Sequence, residues 1–356
     1  MQEPRFLDRT TPPKIVTLIL MAGLSALTMN IFLPSLPGMA VYYSVPYGVM
    51  QQSVALYLAL SAALQILIGP ISDRYGRRKV LLGALVLFLL ATIGTLLAPT
   101  ATWFLIFRMA QAVIAAGMVL SRAVVRDMVA DERAASMIGY VTMGMSLVPM
   151  IGPVIGGVLD DLYGWKANFA LLLILGAATL ALVWADLGET ATLRRVSLAD
   201  QVRTYPALFA SRRFWGYTLS AAFASGCFFA YLGGAPYVGD KIFGLSSTHV
   251  GALFALTAIG YAAGNFFAGR YSIRIGMNRM ILTGCVVTTL GMALLALLTL
   301  LGLSGPTVFF GLTIFMGLGN VICLPNANAG MLSVRPDLAG TASGLGGHVR
   351  DHAHIL

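Results

Sequence analysis

The sequence predicts an all-α membrane protein of about ten spanning helices in two bundles, the second of them incomplete. Three observations predict it. Of the 356 residues, 58% are hydrophobic and only 10% are charged, whereas a soluble domain carries roughly a quarter charged residues. Apolar runs recur along most of the chain, each near the ~20 residues of helix that cross a hydrocarbon core of about 30 Å. Basic residues gather in short clusters in alternate connections, as they do in polytopic membrane proteins. A net charge of +9 would suit nucleic acid if it covered one face. Scattered between apolar runs, it predicts a lipid bilayer and no nucleic-acid partner.

The first run, 15–36, is too long for a signal-peptide core and lacks a small-residue cleavage site, so it is expected to remain as an anchor. Near its end, Pro34 clashes with the carbonyl four residues back, that of Asn30. Asn30 then either lines a kinked wall or repairs its own broken helix. Runs two and three, 50–72 and 79–98, flank a basic turn, and run four, 102–124, holds Arg108. An Arg within a span costs roughly 2.5–3.5 kcal/mol on insertion scales and therefore usually faces a cavity. Run five, 136–158, contains Pro149 and Pro153, and run six, 167–187, completes a first bundle of residues 1–187. A polar, basic stretch, 188–213, reads as a linker. Runs 214–236, 248–270, 280–302 and 307–330 begin a second bundle over 214–356. Cys227, Cys285 and Cys323 lie far apart inside apolar runs, a spacing that predicts neither a disulfide framework nor a metal site.

Orientation follows from the basic residues. With the N-terminus in the cytoplasm, nineteen Lys and Arg fall in inside segments, against Lys166 and Lys241 outside, as the positive-inside rule requires. Trp103 and Trp165 are then expected at the outer interface, and Trp184 and Trp215 at the inner one. The chain also repeats itself. Shifted by 200 positions, Gly69 meets Gly269, Arg74 meets Arg274, Gly76 meets Gly276 and Lys79 meets Arg279. Many secondary transporters are built from repeated halves with a substrate site between them.

The stretch Gly69-Pro-Ile-Ser-Asp73-Arg74-Tyr-Gly76-Arg77-Arg78-Lys79 resembles the signature of the major facilitator superfamily between its second and third helices. Arg108 followed by Gln111 resembles that family's motif in helix four. Pro149-Met-Ile-Gly152-Pro153-Val-Ile-Gly156-Gly157 is similar to the motif of its drug/proton antiporters; the four-residue glycine spacing allows close helix approach. Met29-Asn30-Ile-Phe-Leu-Pro34-Ser-Leu-Pro37, with Glu189 and Thr190 after span six, resembles the Bcr/CflA-type exporters from about residue 14 to 346. The resemblance implies a major-facilitator fold working by alternating access. It implies a cytoplasmic latch of Gly69, Asp73, Arg74, Gly76, Arg77, Arg78 and Arg126, in which Asp73 meets the start of span eleven. The charged cavity residue is expected to be Arg108, lined by Asn30, Tyr57, Gln65, Gln111 and Asn320. Many relatives carry an acid where Asn30 stands, so the proton-carrying residue is left open.

The family has twelve spans. Here the start of span eleven, Gly340-Thr341-Ala342-Ser343-Gly344, gives way to His348, Arg350, Asp351, His352 and His354, which a lipid-facing helix does not tolerate. The expectation is a truncated second bundle, with no metal site at the histidines. The resemblance implies efflux of small amphipathic drugs from the bacterial inner membrane, driven by the proton gradient without a cofactor, by a chain for which a monomer suffices. Two alternatives stay open: export of a sugar or amino-acid metabolite, and a remnant that transports nothing. No catalytic constellation or ATP-binding motif appears, so an enzyme is not expected.

Overall fold

A computed structural model describes residues 6–129, 131–191 and 210–334; everything below refers to these. Every predicted span is a helix. The first is α1, Ile15–Asn30, continued through one 3-10 turn, Leu33–Ser35, into α2, Leu36–Tyr42. The interruption falls where Pro34 denies the Asn30 carbonyl its partner. Then follow α3, Tyr47–Tyr75, and α4, Arg77–Leu97. The fourth span is α5, Ala101–Ala110, a 3-10 turn Gln111–Ile114, and α6, Ala115–Met128. The fifth and sixth are α7, Asp131–Tyr163, and α8, Lys166–Asp186. The remaining four are α9, Arg212–Tyr237; α10, Ser247–Ile275; α11, Met277–Leu300; and α12, Pro306–Ser333. Among the described residues, nine segments are long and apolar enough to cross a membrane, and α7 coincides with the remaining predicted span.

The shift of 200 residues is borne out in the backbone. Helix α3 occupies 47–75 and α10 occupies 247–275. Each ends on a glycine in the left-handed region, Gly76 at φ 96° and Gly276 at φ 87°. In both, the glycine N–H donates to a serine carbonyl four residues back, Ser72 or Ser272, at 2.9 Å. A residue with a Cβ is strained at that φ, which is why both halves keep glycine there.

The chain divides into two compact units, Met1–Val196 with Gly233–Ala252, and Ser197–Leu232 with Leu253–Leu356. In unit 1, small residues set the packing. Helix α7 lies on α1 so closely that a Cβ on Gly156 would collide with the Ile31 carbonyl. A Cβ on Gly117 would come within 2.9 Å of the Met21 carbonyl. One tryptophan departs from the predicted belts. Trp103, Trp184 and Trp215 are exposed, but Trp165 is buried, because Tyr42, Tyr43, Phe104 and Phe169 enclose its ring edge-on or tilted. In unit 2, Gly284 and Gly319 bring α11 and α12 into backbone contact. Its core gathers Tyr217, Ile281, Cys323 and Ala327.

Candidate functional site: a buried arginine and a capped basic turn

Arg108 sits near the end of α5, wholly buried. The 3-10 turn that follows α5 swings Gln111 round to meet it. Its Nη1 donates to Gln111 Oε1 at 2.9 Å, its Nη2 to the Thr28 carbonyl at 3.0 Å and its Nε to the Ser53 carbonyl at 3.4 Å. The guanidinium is sandwiched between Tyr57 and Phe32, 4.0 and 4.4 Å from their ring centres. Gln111 passes the chain on, its Nε2 donating to Thr92 Oγ1 at 2.8 Å. Among the described residues no carboxylate pairs with Arg108. The cation is held by dipoles and π-faces, the ring contacts worth about 2 kcal/mol or more each when desolvated. A buried positive charge balanced only by dipoles is a place for charge to be received or sensed.

Of the other predicted cavity residues, Tyr57 and Gln111 join this cluster. Asn30 does not. It is fully buried, its Nδ2 donates to the Ala26 carbonyl at 2.8 Å, and its Oδ1 has no hydrogen-bond partner among the described residues. A Cβ on Gly152 would lie 3.8 Å from the Asn30 Cβ, so this residue faces α7. The amide bonds to the Ala26 carbonyl and not to the Asn30 carbonyl that Pro34 leaves without a donor, so it does not repair the break. Gln65 is exposed on α3. Asn320 belongs to unit 2, where it is buried and faces the Tyr261 hydroxyl without full hydrogen-bond geometry at either amide atom.

The basic turn between α3 and α4 is the second cluster. Arg77 forms ion pairs with Asp73 on its own turn and with Asp127 at the end of α6, the latter at 3.2 Å, and also donates to Ser72 Oγ. Arg126, named from the sequence, is exposed beside Asp127; the carboxylate next to it is what meets Arg77. Arg74 stacks over the Tyr75 ring at 5.4 Å. No atom would meet a Cβ on Gly69, so close approach is not its role; its carbonyl accepts from Ser72 Oγ at 2.7 Å. The predicted meeting of Asp73 with the start of span eleven, like the histidines beyond it, lies outside the described residues.

The largest surprise in this turn is Glu189. Its Oε1 accepts from the Arg77 N–H at 2.8 Å and its Oε2 from the Arg78 N–H at 3.3 Å. A carboxylate from beyond α8 therefore caps the positive end of α4, where unpaired N–H groups and the helix dipole favour negative charge. A Cβ on Gly76 would strike that carboxylate, a second reason for glycine here. Arg78 closes the loop by donating to the Trp184 carbonyl at 2.8 Å. Asp186 ties the segment that leads into α1 to the end of α8: fully buried, it accepts from the N–H of Leu7 and of Lys14 and from Thr17 Oγ1, at 2.8, 3.0 and 2.6 Å. The signal for these contacts was an acid at the end of an apolar run, Asp186, and another just beyond it, Glu189, but nothing in the sequence named the segments they would meet.

The antiporter-type motif on α7 is buried against α1 through Gly152 and Gly156. Pro149 and Pro153 interrupt the same helix without ending it. Gly157 contacts the backbone at Ser247, and Gly251 contacts that at Pro153, all within unit 1.

These features define a polytopic helical membrane protein built from a repeated half. The Major Facilitator Superfamily profile matches residues 18–353, and the chain belongs to that family. It is 31% identical to the "Chloramphenicol resistance protein" of Pseudomonas aeruginosa, over 90% of this chain and 76% of that one. It is 28% identical to "Multidrug resistance protein D" of Escherichia coli, over 95% of this chain and 85% of the relative. A "Bicyclomycin resistance protein homolog" of Haemophilus influenzae is also 28% identical. These relatives uphold the Bcr/CflA-type resemblance. Among solved structures, a bacterial Spinster homolog in an inward-facing conformation superposes with a TM-score of 0.73 at 19% identity, covering 93% of this chain and 77% of the other. A D-xylose-proton symporter gives 0.72 at 16%, covering 93% and 86%. At those identities the likeness is one of fold.

Proposed function

We propose that this protein is a bacterial inner-membrane exporter of small amphipathic drugs, exchanging them for protons by alternating access, with its N-terminus in the cytoplasm. The observation that carries the reading is the match to resistance proteins over nine-tenths or more of the chain. The buried Arg108, without a carboxylate partner among the described residues, and the glycine-packed α7 support it, being the residues whose types and spacing resemble the antiporters. Arg108, Tyr57, Phe32 and Gln111 are buried in this structure, and they meet a compound bearing an apolar body and a polar or anionic group only in a conformation of the cycle that opens them. Energy comes from the ion gradient, since the chain carries no nucleotide-binding motif. Asn30 does not ionise, so proton coupling falls to another group.

The test is chloramphenicol accumulation in pump-deficient cells expressing the chain, with and without a protonophore. Lower accumulation, abolished by the protonophore and by Arg108→Ala, is expected. Accumulation equal to that of empty-vector cells, with membrane insertion confirmed, would overturn the reading for this compound. Export that persists through the protonophore would overturn the coupling.

A further inference from the structure

Two adjacent acids are left over by everything above. Asp160 and Asp161 stand at the end of α7, beyond its apolar stretch, in a chain with only 14 acidic residues. Both turn onto the first turn of α10. Asp161 takes the Ser247 N–H on one carboxylate oxygen at 3.2 Å and the Thr248 N–H on the other at 2.9 Å. Those are N–H groups that a helix start leaves without internal partners. Asp160 accepts a short hydrogen bond from Ser247 Oγ, which also lies 3.3 Å from the Pro34 carbonyl. Backbone contact at Gly157 and Gly251 leaves no room for any side chain between the two segments. Residues 233–252 belong to unit 1, so the fastening is internal to that unit. Beside it opens a cavity of about 320 Å³ walled by Pro34, Asp161, Lys241 and Ser247.

We propose that Asp160 and Asp161 are a proton-sensitive clasp that fastens the first turn of α10 to the end of α7 and grips harder as its surroundings acidify. That these surroundings are the outer face rests on the orientation proposed above. The two acids divide the work, as adjacent carboxyls do when their environments push them apart. Burial raises Asp160, outweighing the hydrogen bonds from Ser247 and Ser35, and the charge of Asp161 adds to the rise. Burial raises Asp161 too, but hydrogen bonds from Thr248, Ser246 and Ser247 overcome it and hold this carboxyl below its usual range.

The sign follows from linkage. A carboxyl raised in the fastened state takes up a proton on fastening, so its contribution grows as pH falls and is lost as pH rises through the raised value. Asp161 contributes above its ordinary value and is lost only when pH falls through its depressed one. Between neutral pH and that lower limit, acid tightens the clasp. The other charged groups near it are Asp240 and Lys241, which pair with each other at 2.9 Å, and His249, whose ring bonds to Ser246 in the same turn.

Hydrogen exchange of the full chain in lipid nanodiscs tests this without any transported compound. Protection is read at residues 245–252 between pH 8 and pH 5, corrected for the intrinsic pH dependence of exchange. Protection is expected to rise several-fold on acidification. Asp160→Asn should be well protected throughout and lose the slope. Asp161→Asn should exchange about five- to tenfold faster at every pH, as loss of a helix cap does, and keep the slope. A flat wild type, or an Asp160→Asn variant with the wild-type slope, would overturn the proposal. Exchange in α1 and α4 reports folding; should Asp160→Asn lose protection there, Asp160→Ser is judged by the same slope. Normal exchange behaviour beside absent chloramphenicol export would remove the export reading and leave the clasp standing.

Discussion

Arg108 shows what one residue does in this fold. Among the described residues it is the largest fully buried side chain, and three helical segments arrange their carbonyls and rings around it. Lys would keep the charge but not the planar fork that reaches Gln111, Thr28 and Ser53 together, nor the face that lies between Tyr57 and Phe32. Arg108→Ala leaves a cavity and takes the donor from Gln111 Oε1, and is expected to lower the stability of unit 1 by about 2–5 kcal/mol. Arg108→Lys should fall between it and the wild type. Thermal unfolding in detergent checks both, and an Ala variant as stable as the wild type would mean that the cluster is not structural. That Arg108 matters was legible in the sequence, because a charge inside a span is rare. Its partners were not, since backbone carbonyls and ring faces leave no mark on residue type. Asn30 was legible only as an alternative. In the structure its Nδ2 bonds back to the Ala26 carbonyl, one turn before the carbonyl that Pro34 orphans, and its Oδ1 is left open among the described residues.

At the scale of elements, glycines decide which helices touch. Periodicity and length located every span, because a helix in lipid must satisfy its own backbone and so announces itself as one apolar run. What a glycine faces is a matter of tertiary packing, and the motif on α7 could not say whether Gly156 met α1 or another helix. It meets the Ile31 carbonyl at backbone contact, and Gly157 meets Ser247. Gly156→Val should therefore push α7 away from α1, at a cost of about 1–3 kcal/mol or more for overpacking. Gly69→Ala should be nearly silent, since nothing would meet its Cβ. Unfolding midpoints of the two variants in the same detergent settle the contrast. Equal midpoints would contradict the packing described. The same reasoning explains Glu189. Capping acids look like ordinary interface charges until the helix ends that they serve are placed.

For the whole molecule, the two halves were visible as a register of glycines and basic residues 200 positions apart, and the backbone repeats it down to the φ of Gly76 and Gly276. A repeated half, each copy carrying Arg after its second helix, fixes the sidedness of both copies at once. The charges enforce it: Arg74, Arg77, Arg78 and Lys79 in one turn, Arg270, Arg274 and Arg279 in the other, each unfavourable to move across the bilayer. Connections of opposite sidedness carry almost no cations. Fusions that end within 43–46, 98–100, 163–165 or 302–305 should accordingly give active alkaline phosphatase, which needs the outer compartment. Fusions ending at 76, 129–131 or 276 should give inactive enzyme and, with a fluorescent reporter, a folded cytoplasmic one. If the pattern alternates through the first half and inverts after residue 210, the halves are not related by the repeat as a topological unit. If the whole pattern inverts, the acids Asp160 and Asp161 face the cytoplasm, and the clasp would then respond to internal rather than external pH.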